Sequence, residues 1–531
     1  MPDAPRLATP TAPADPSANS YDEVPYDSNP FPYTHPARVA TVATLFGLRP
    51  PPVATCRVLE LGCASGGNLV PMAESLPGGE FVGVDFSARQ IADGEHVVRE
   101  SGLKNVQLRH ASILDIDDSY GRFDYVICHG VFSWVPDAVR DKILAVCRDL
   151  LTPDGVAYVS YNTYPGWHMR GMIRDMMRYH ATRFDTPALR VQQARALLDF
   201  LAQTARNDGG AYATLLRTEL EHLRHQADHY LYHEHLEDVN NPLYFHEFVE
   251  LARRHDLRYL GEARLTTMVT GNFGPEVQKA LRVVAPDQVQ AEQYMDFVRN
   301  RTFRESLLVR ADATPDWSIQ TAALRGLHLT TPHHVPDVPG EATSPAAAQY
   351  QTPSGMTLST SSPVMKAAMR ALSRRWPATA AFEELAREVT EMLGREPDDR
   401  DELATGLLST YLSSDLLEIL AHPIPEVAAG NRPAALAVIR ARLAAGETGV
   451  TTRRHEHYRT SELDRKLIPQ LDGTRDRAAL AAAMADLALA GQLRVERQGR
   501  PLTDPAELRQ AVGEVLDKRL EDYARLALLS G

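Results

Sequence analysis

Short apolar runs alternate with stretches of helical spacing from residue 57 to residue 161. The runs near 57–61, 80–84, 106–109, 123–128 and 156–161 read as strands. Between the last two, Val139, Ile143, Val146 and Leu150 recur at i, i+4, i+7 and i+11, the stripe of a helix lying on a sheet. Strands alternating with helices predict an α/β fold with a doubly wound parallel sheet, whose ligands sit at the carboxyl ends of strands. Further on, Tyr244–His255 has an amphipathic helical pattern leading into a sixth strand, Leu257–Glu262, and Thr302–Val309 alternates as a seventh. The stretches 168–229 and 264–300 then become helical insertions in a catalytic domain covering 21–311. Residues 312–360, rich in Pro, Thr, Ser and Ala, read as a linker with a short hairpin around Ala322–Leu329. Helical patterns at 363–375, 380–393 and 401–413, followed by a strand at Leu416–Leu420, suggest a winged-helix-like unit over 361–422. A second, mainly helical domain with winged-helix character covers 423–531, with helices expected at 434–445 and within 462–527. The Pro- and Ala-rich residues 1–20 lack an apolar h-region and read as a disordered tail, not a signal peptide.

The chemistry concentrates where the first two strands end. Val58–Leu61 breaks at Gly62 into a small-residue loop, and the second strand ends at Asp85. Strand, glycine loop, helix, strand and carboxylate form the opening of a nucleotide-binding fold. Two cofactors fit that outline. Gly62, Ala64 and Gly67 match a dinucleotide fingerprint loosely, but a pyrophosphate needs positive potential. Glu60 stands two residues before Gly62, and there is no Lys or Arg from Val58 to Ala88. A carboxylate there repels phosphate and attracts an ammonium. S-adenosylmethionine (SAM) carries that ammonium, a sulfonium and a ribose diol, and no phosphate, so SAM is the expected cofactor.

Charge and composition narrow the partners. The net charge of −13 opposes a nucleic-acid backbone as main partner. The winged-helix-like stretch 361–422 holds seven basic and eleven acidic residues, the wrong sign for phosphate contacts. Protein–protein contact is the better expectation there. No run of 18 apolar residues predicts a membrane span. Four cysteines without a CxxC pair suit a reduced, cytoplasmic protein, with Cys63 and Cys128 expected to face the cofactor.

Several segments carry a family resemblance. Glu60-Leu-Gly-Cys-Ala-Ser-Gly-Gly-Asn68 and Gly83-Val-Asp-Phe-Ser87 resemble the first two motifs of class I SAM-dependent methyltransferases. Phe123–His129 resembles their fourth-strand motif, and Leu151-Thr-Pro-Asp-Gly155 the turn before the fifth strand. Tyr21–Tyr26, Thr34–Pro36, Cys128–Trp134, Ser160–Trp167, Tyr230–Ala263, Glu292–Arg310 and Leu467–Arg477 are similar to one subfamily. That subfamily carries a methyltransferase regulatory domain, here expected over about 220–311, and includes the rickettsial-type protein lysine methyltransferases. The resemblance implies a Rossmann-like seven-stranded sheet, a protein or peptide acceptor, and an arm over 21–55 that folds across the cofactor. It places Tyr26 and His35 near the cofactor, with Glu60, Gly62, Ala64, Gly66 and Asn68 at the methionine end. Asp85 would hold the ribose, Phe86 would lie beside the adenine, and Ser112 and Ile113 would read its edge. The first insertion would cap the cofactor mouth and supply specificity or a dimer face, so a homodimer is anticipated.

Methyl transfer from SAM asks mainly for proximity, alignment and a dry pocket. A lysine acceptor must first lose a proton. With an unperturbed pKa near 10.4, only about one in a thousand is neutral at pH 7. His129 and Tyr161 are the candidates to orient or deprotonate the amine. Trp134, Tyr164 and Trp167, after the fourth and fifth strands, with Tyr232 and Glu234 farther on, are candidate substrate contacts. His222, His225, His229 and His233 share a face if their helix is continuous, which would suit a metal. Methyl transfer needs none, and no metal is expected. Two alternatives stay open: a methyltransferase for a small molecule or peptide natural product, and a non-catalytic SAM-binding regulator.

Overall fold

The computed structural model describes residues 24, 28–204, 209–335, 343–352, 355–394, 400–497, 500–502 and 504–530. Helix α1 (Pro36–Leu45) precedes β1 (Arg57–Leu61), α2 (Leu69–Ser75), β2 (Glu80–Asp85), α3 (Ala88–Ser101) and β3 (Val106–His110). Then come β4 (Phe123–Cys128), α4 (Asp137–Leu150) and β5 (Leu151–Asn162). Three helices, α5 (Gly166–Ala181), α6 (Pro187–Thr204) and α7 (Ala211–Arg224), form the first insertion. The sheet resumes with α8 (Phe245–Arg254) and β6 (Leu257–Glu262). A second insertion carries α9 (Pro275–Val284) and α10 (Gln288–Arg299) before β7 (Phe303–Arg310).

The seven strands run in the order β3-β2-β1-β4-β5-β7-β6. Only β7 is antiparallel to its neighbours; it pairs with β5 and β6. The order reverses between β1 and β4, and in such sheets a ligand binds at the carboxyl ends beside that reversal. The sheet is Rossmann-like, with the seven strands that the resemblance implies.

Each strand alternates between two cores. Leu59, Leu61, Val126, Val159 and Tyr161 pack against Ile143 and Cys147 of α4 and Phe248 of α8. Val58, Ile127 and Tyr158 point to the other face, where Val39, Val42 and Ala43 of α1 cover them. That second core does not stop at the sheet. It runs through α1 into a middle unit built from β8 (His328–Thr330), β9 (Ala348–Gln351), β10 (Thr357–Thr360), α11 (Pro363–Arg375), β11 (Ala380–Ala381), α12 (Phe382–Leu393), α13 (Arg400–Ser413) and β12 (Glu418–Leu420). Eight of the ten residues of α1 are buried, which a helix reaches only when it is packed on opposite sides. Arg38 on α1 donates to Glu418 of β12 at 2.9 Å, fixing the two bodies together.

A third core, with Ile439, Leu467, Leu480, Leu516 and Tyr523, holds the C-terminal domain. Its elements are α14 (Ala437–Ala444), the hairpin β13 (Gly449–Thr451) and β14 (His457–Arg459), α15 (Glu462–Leu467), α16 (Arg477–Leu489) and α17 (Pro505–Arg525). It is a winged-helix domain.

Three expectations change here. Ala322–Leu329 is not a hairpin: Thr321–Gly326 is a 3-10 turn, and β8 pairs with β11 and β12 in a three-stranded sheet. The presumed linker therefore contributes three strands, β8, β9 and β10, to the middle unit. Leu151–Gly155 is drawn into β5, where Leu151 pairs with Phe123 before the register shifts. Cys128 faces the α4 core, away from the cofactor face. The residues expected as a disordered tail, 1–20, lie outside the described ones.

The second insertion is held by charge. Arg304 on β7 is fully buried and donates to Asp296 at 2.8 and 3.0 Å, to Glu262 at 2.8 Å and to Glu292 at 3.1 Å. Its guanidinium carbon lies 3.6 Å from the Phe245 ring centre. Removing one member of such a network leaves uncompensated buried charge. Arg304→Leu is expected to destabilise the catalytic domain by about 3–5 kcal/mol in denaturant unfolding. A loss under about 1 kcal/mol would mean the carboxylates are solvated or protonated instead.

Candidate cofactor and acceptor site

Strand register assembles the site. Leu108, Gly83, Glu60, Ile127 and Tyr158 are Cα partners in one row across β3, β2, β1, β4 and β5. Cα partners on adjacent strands point to the same side, so Glu60 and Tyr158 share the face covered by α1. Tyr161, three residues after Tyr158, must point to the other.

Glu60 is 3% exposed. Its Oε1 accepts from Asn68 Nδ2 at 2.6 Å, while Oε2 is buried with no hydrogen-bond partner among the described residues. Burial first, then the neighbouring Asp85 charge, pushes its carboxyl up to about 8, with the Asn68 bond opposing. Asn68 uses every polar atom it has. Nδ2 also donates to Thr34 at 3.0 Å, and Oδ1 accepts from Phe31 N at 2.9 Å and His455 Nε2 at 2.7 Å. Asn68 therefore positions Glu60 and is itself sealed from a ligand.

The loop between them is wound tightly. Ala64 adopts φ +49°, a left-handed conformation that costs a non-glycine residue about 1–2 kcal/mol. Its N–H donates to Asp85 Oδ2 at 2.8 Å, and Ser87 N donates to Oδ1 at 2.8 Å. Asp85 is half-buried at the tip of β2, where a carboxylate oxygen can accept more than one hydrogen bond. Gly62 and Gly66 flank Ala64 in the same loop. Phe86 is 52% exposed beside it, a flat apolar surface with no burial of its own to explain it. Ser112 and Ile113 follow β3 at the same edge; Ser112 Oγ accepts from Leu114 N at 3.2 Å and caps a 3-10 turn.

The N-terminal arm closes the crevice from above. Ser28 Oγ accepts from Gly67 N at 2.7 Å. A Cβ on Gly67 would stand 2.0 Å from Ser28 O, so only glycine allows this approach. His35 caps α1, its Nδ1 accepting from Ala37 N at 3.1 Å, with its ring centre 5.3 Å from that of His455. Tyr26 lies outside the described residues.

Past β4, His129 is tied into a chain of hydrogen bonds. Tyr158 Oη donates to Glu305 Oε1 at 2.9 Å, so it accepts from His129 Nδ1–H at 2.9 Å. Glu305 in turn accepts from Arg264 Nε at 2.6 Å. This chain fixes the histidine tautomer and leaves Nε2 as an acceptor. Burial, then Arg264, lowers the His129 pKa to about 3. The imidazole is therefore neutral at pH 7. Phe31, with ring centres 3.7 Å apart, and Phe303, at 5.9 Å, flank it.

The other candidates divide. Tyr161 is 1% exposed, stacks on Phe248 at 4.0 Å and turns its hydroxyl to Ser306 at 3.2 Å, inside the α4 core. That burial removes it from direct contact with an acceptor amine; the tyrosine on the cofactor face is Tyr158. Trp134 meets buried Trp167 edge-on at 6.0 Å, and Tyr164 stacks on His168 at 4.0 Å, together lining the wall after β4 and β5. Tyr232 is packed in the first insertion's core. Glu234 is half-buried there, its carboxyl raised by burial to about 7 against the pull of Arg170 and Arg174. The histidine stripe is broken, because α7 stops at Arg224 and a new turn begins at Asp228. His233 instead bonds Val24 O at 2.6 Å and Glu237 at 2.8 Å.

Sequence reasoning missed Tyr158, Glu305, Phe31 and His455. Period-2 alternation separates Tyr158 from Tyr161, but spacing alone does not say which face holds the ligand.

Gly67→Ala is expected to lift the arm from the loop. Amide exchange at Phe31, whose N–H bonds Asn68, should quicken about tenfold or more, as for a locally opened segment. Unchanged protection at Phe31 would contradict the packing described.

Comparisons with known proteins bear on the fold and its domains. Residues 59–157 match a methyltransferase domain, 227–310 a predicted methyltransferase regulatory domain, and 431–528 the PKMT C-terminal winged helix domain. The uncharacterized protein RP789 of Rickettsia prowazekii is 37% identical over 96% of this chain and 94% of its own length. RP028 of the same organism is 45% identical over 45% of this chain and 96% of its own. The structure of PKMT2 from Rickettsia typhi covers 95% of this chain and all of its own, with 31% identity and a TM-score of 0.85. The same protein in complex with AdoHcy gives 32% identity over 96% of this chain and a TM-score of 0.84. With its sheet, regulatory segment and winged helix all accounted for, this chain belongs to the rickettsial PKMT-like family of class I SAM-dependent methyltransferases, and is a SAM-dependent methyltransferase.

Proposed function

We propose that the enzyme methylates lysine side chains of protein substrates, with SAM lying over the glycine loop and the amine arriving beside His129. In this reading the ammonium of SAM meets the unpartnered Oε2 of Glu60, and Gly62, Ala64 and Gly66 let the chain approach the methionine moiety. Asp85 takes the ribose diol, Phe86 lies along the adenine, and Ser112 and Ile113 border its edge. The amine lone pair attacks the methyl carbon, the carbon–sulfur electrons return to sulfur, and the product ammonium gives its proton to water.

The observation that carries the acceptor class is the His129–Tyr158–Glu305 chain. It presents one neutral, fixed hydrogen-bond acceptor among aromatic rings, on the same face as Glu60. Such a pocket favours an uncharged amine through desolvation. With a pKa of about 3, His129 is a poor proton acceptor at neutral pH, and its role is to orient the N–H of an amine already neutral. Trp134 and Tyr164 would hold the aliphatic stem, with buried Trp167 backing Trp134. The family relation to PKMT supports a protein substrate. The expected homodimer and cytoplasmic location belong to the same proposal. Among the described residues, no helix is long and apolar enough to cross a membrane.

Incubating the full chain with tritiated SAM and bacterial cell-envelope extract tests the proposal. Label should appear on protein and survive hydrolysis as methyllysine. Label only in a solvent-extractable fraction would favour a small-molecule acceptor, and none despite tight SAM binding would favour a regulator.

Two measurements test the assignments. Below pH 8 the free Glu60 carboxyl holds its proton, with its pKa at about 8, and ammonium binding must expel it. SAM affinity should therefore rise from pH 6 to pH 8, by up to about tenfold per unit, then fall at higher pH as the ligand's α-amine deprotonates near pH 8. In Glu60→Gln, calorimetry should show weaker binding and a flat profile over that range; a wild-type profile would remove Glu60 from the contact. Tyr158→Phe frees the His129 tautomer and should lower kcat about 10- to 100-fold with SAM affinity nearly intact. An unaltered kcat would remove the chain from the mechanism.

A further inference from the structure

We infer that the C-terminal winged-helix domain is a working part of the cofactor site, with His455 as a positioning residue that sets Asn68 and, through it, Glu60. This rests on the reading that Glu60 and the glycine loop hold the methionine end of SAM.

His455 sits in the turn between β13 and β14, and Asn68 immediately precedes α2, 387 residues earlier. Both side chains are 3% exposed. Oδ1 of an amide cannot donate, so the 2.7 Å bond must run from His455 Nε2–H to Asn68. That bond is the shortest of those to Oδ1, which set the amide's orientation. With Oδ1 engaged by His455 and Phe31 N, Nδ2 must face Glu60 and Thr34. Without the His455 donor, the shortest of three contacts to Oδ1 is lost, leaving Phe31 N and Thr34 Oγ1 at 3.1 Å, and the amide is freer to turn its oxygen toward the carboxylate.

The turn itself is wedged between bodies. His455 has φ +62°, and its N–H closes the turn on Thr452 O at 2.9 Å. The neighbouring Arg454 donates to Pro377 O at 3.0 Å and to Glu418, the carboxylate that also binds Arg38 of α1. A position held this firmly is suited to set another group's geometry.

A second contact, independent of His455, grips the other end of α2. Glu74 accepts from Ala437 N at 2.5 Å and Val438 N at 3.3 Å, so a carboxylate of the cofactor-loop helix satisfies the first N–H groups of α14. Helix α14 also packs on α3, which follows β2 and Asp85. The C-terminal domain thus clamps both helices that leave the two cofactor strands. Since Asn68 is closed to ligand, the bond from His455 acts on SAM only through Glu60. By linkage, whatever docks the domain more firmly must tighten SAM binding, and SAM must tighten the docking.

The test uses the full chain and SAM itself. His455→Ala should raise the calorimetric Kd and the KM for SAM about tenfold, with the loss in KM more than in kcat. His455→Gln, whose Nε2 can still reach Oδ1 as a donor, should recover most of the affinity. Exchange of the Ala437 and Val438 amides should slow when SAM is added. Asp85→Ala serves as the control for the cofactor reading. If Asp85→Ala abolishes binding while a folded His455→Ala keeps the wild-type Kd, this inference fails and the site stands. If Asp85→Ala also binds normally, the site reading fails. Equal weakness in His455→Ala and His455→Gln would assign the effect to ring packing and overturn the positioning role.

Discussion

A carboxylate that is buried, held by one amide and open on its other oxygen governs this molecule. Glu60 could not remain 3% exposed at the centre of the sheet without Asn68 to satisfy one oxygen. Leaving the second oxygen without a protein donor is costly unless a ligand supplies one. With no Lys or Arg from Val58 to Ala88, the proposed donor is a positively charged group, not a phosphate.

Much of the chain is arranged to hold that amide. The arm brings Phe31 and Thr34 to it, Ser28 seals Gly67, and α1 binds the arm to the sheet and to the middle unit at once. The C-terminal domain adds His455 and receives Glu74 in exchange. Domains that look sequential along the chain are therefore mechanically one body around the cofactor crevice. The acceptor side has its own support. Tyr158 links His129 to Glu305 on β7, and the second insertion anchors β7 through Arg304.

The features legible in the sequence are those written locally. Glycine loop, strand-end carboxylates and strand–helix alternation each fit within a short window, so Glu60, Asp85 and the sheet emerge from spacing and charge. Tyr161 illustrates the limit. Strand periodicity places two tyrosines on opposite faces, and only the strand register shows that Tyr158 is the one sharing the face of Glu60. The histidine stripe depended on a helix that breaks at Arg224, a boundary its periodicity hides. Ala322–Leu329 reads as a turn region because its partners, β11 and β12, lie far downstream. His455 and Glu305 bond groups 387 and 147 residues away, and no local pattern encodes such pairs.

The central claim is most directly tested on the Glu60 carboxyl itself. Carbon-13 NMR of glutamate-labelled protein, assigned with Glu60→Gln, would follow its titration with and without S-adenosylhomocysteine, which carries the same ammonium. The account predicts a pKa of about 8 in the free protein and a fall of several units when the ligand is bound. A titration that the ligand leaves unmoved would contradict it.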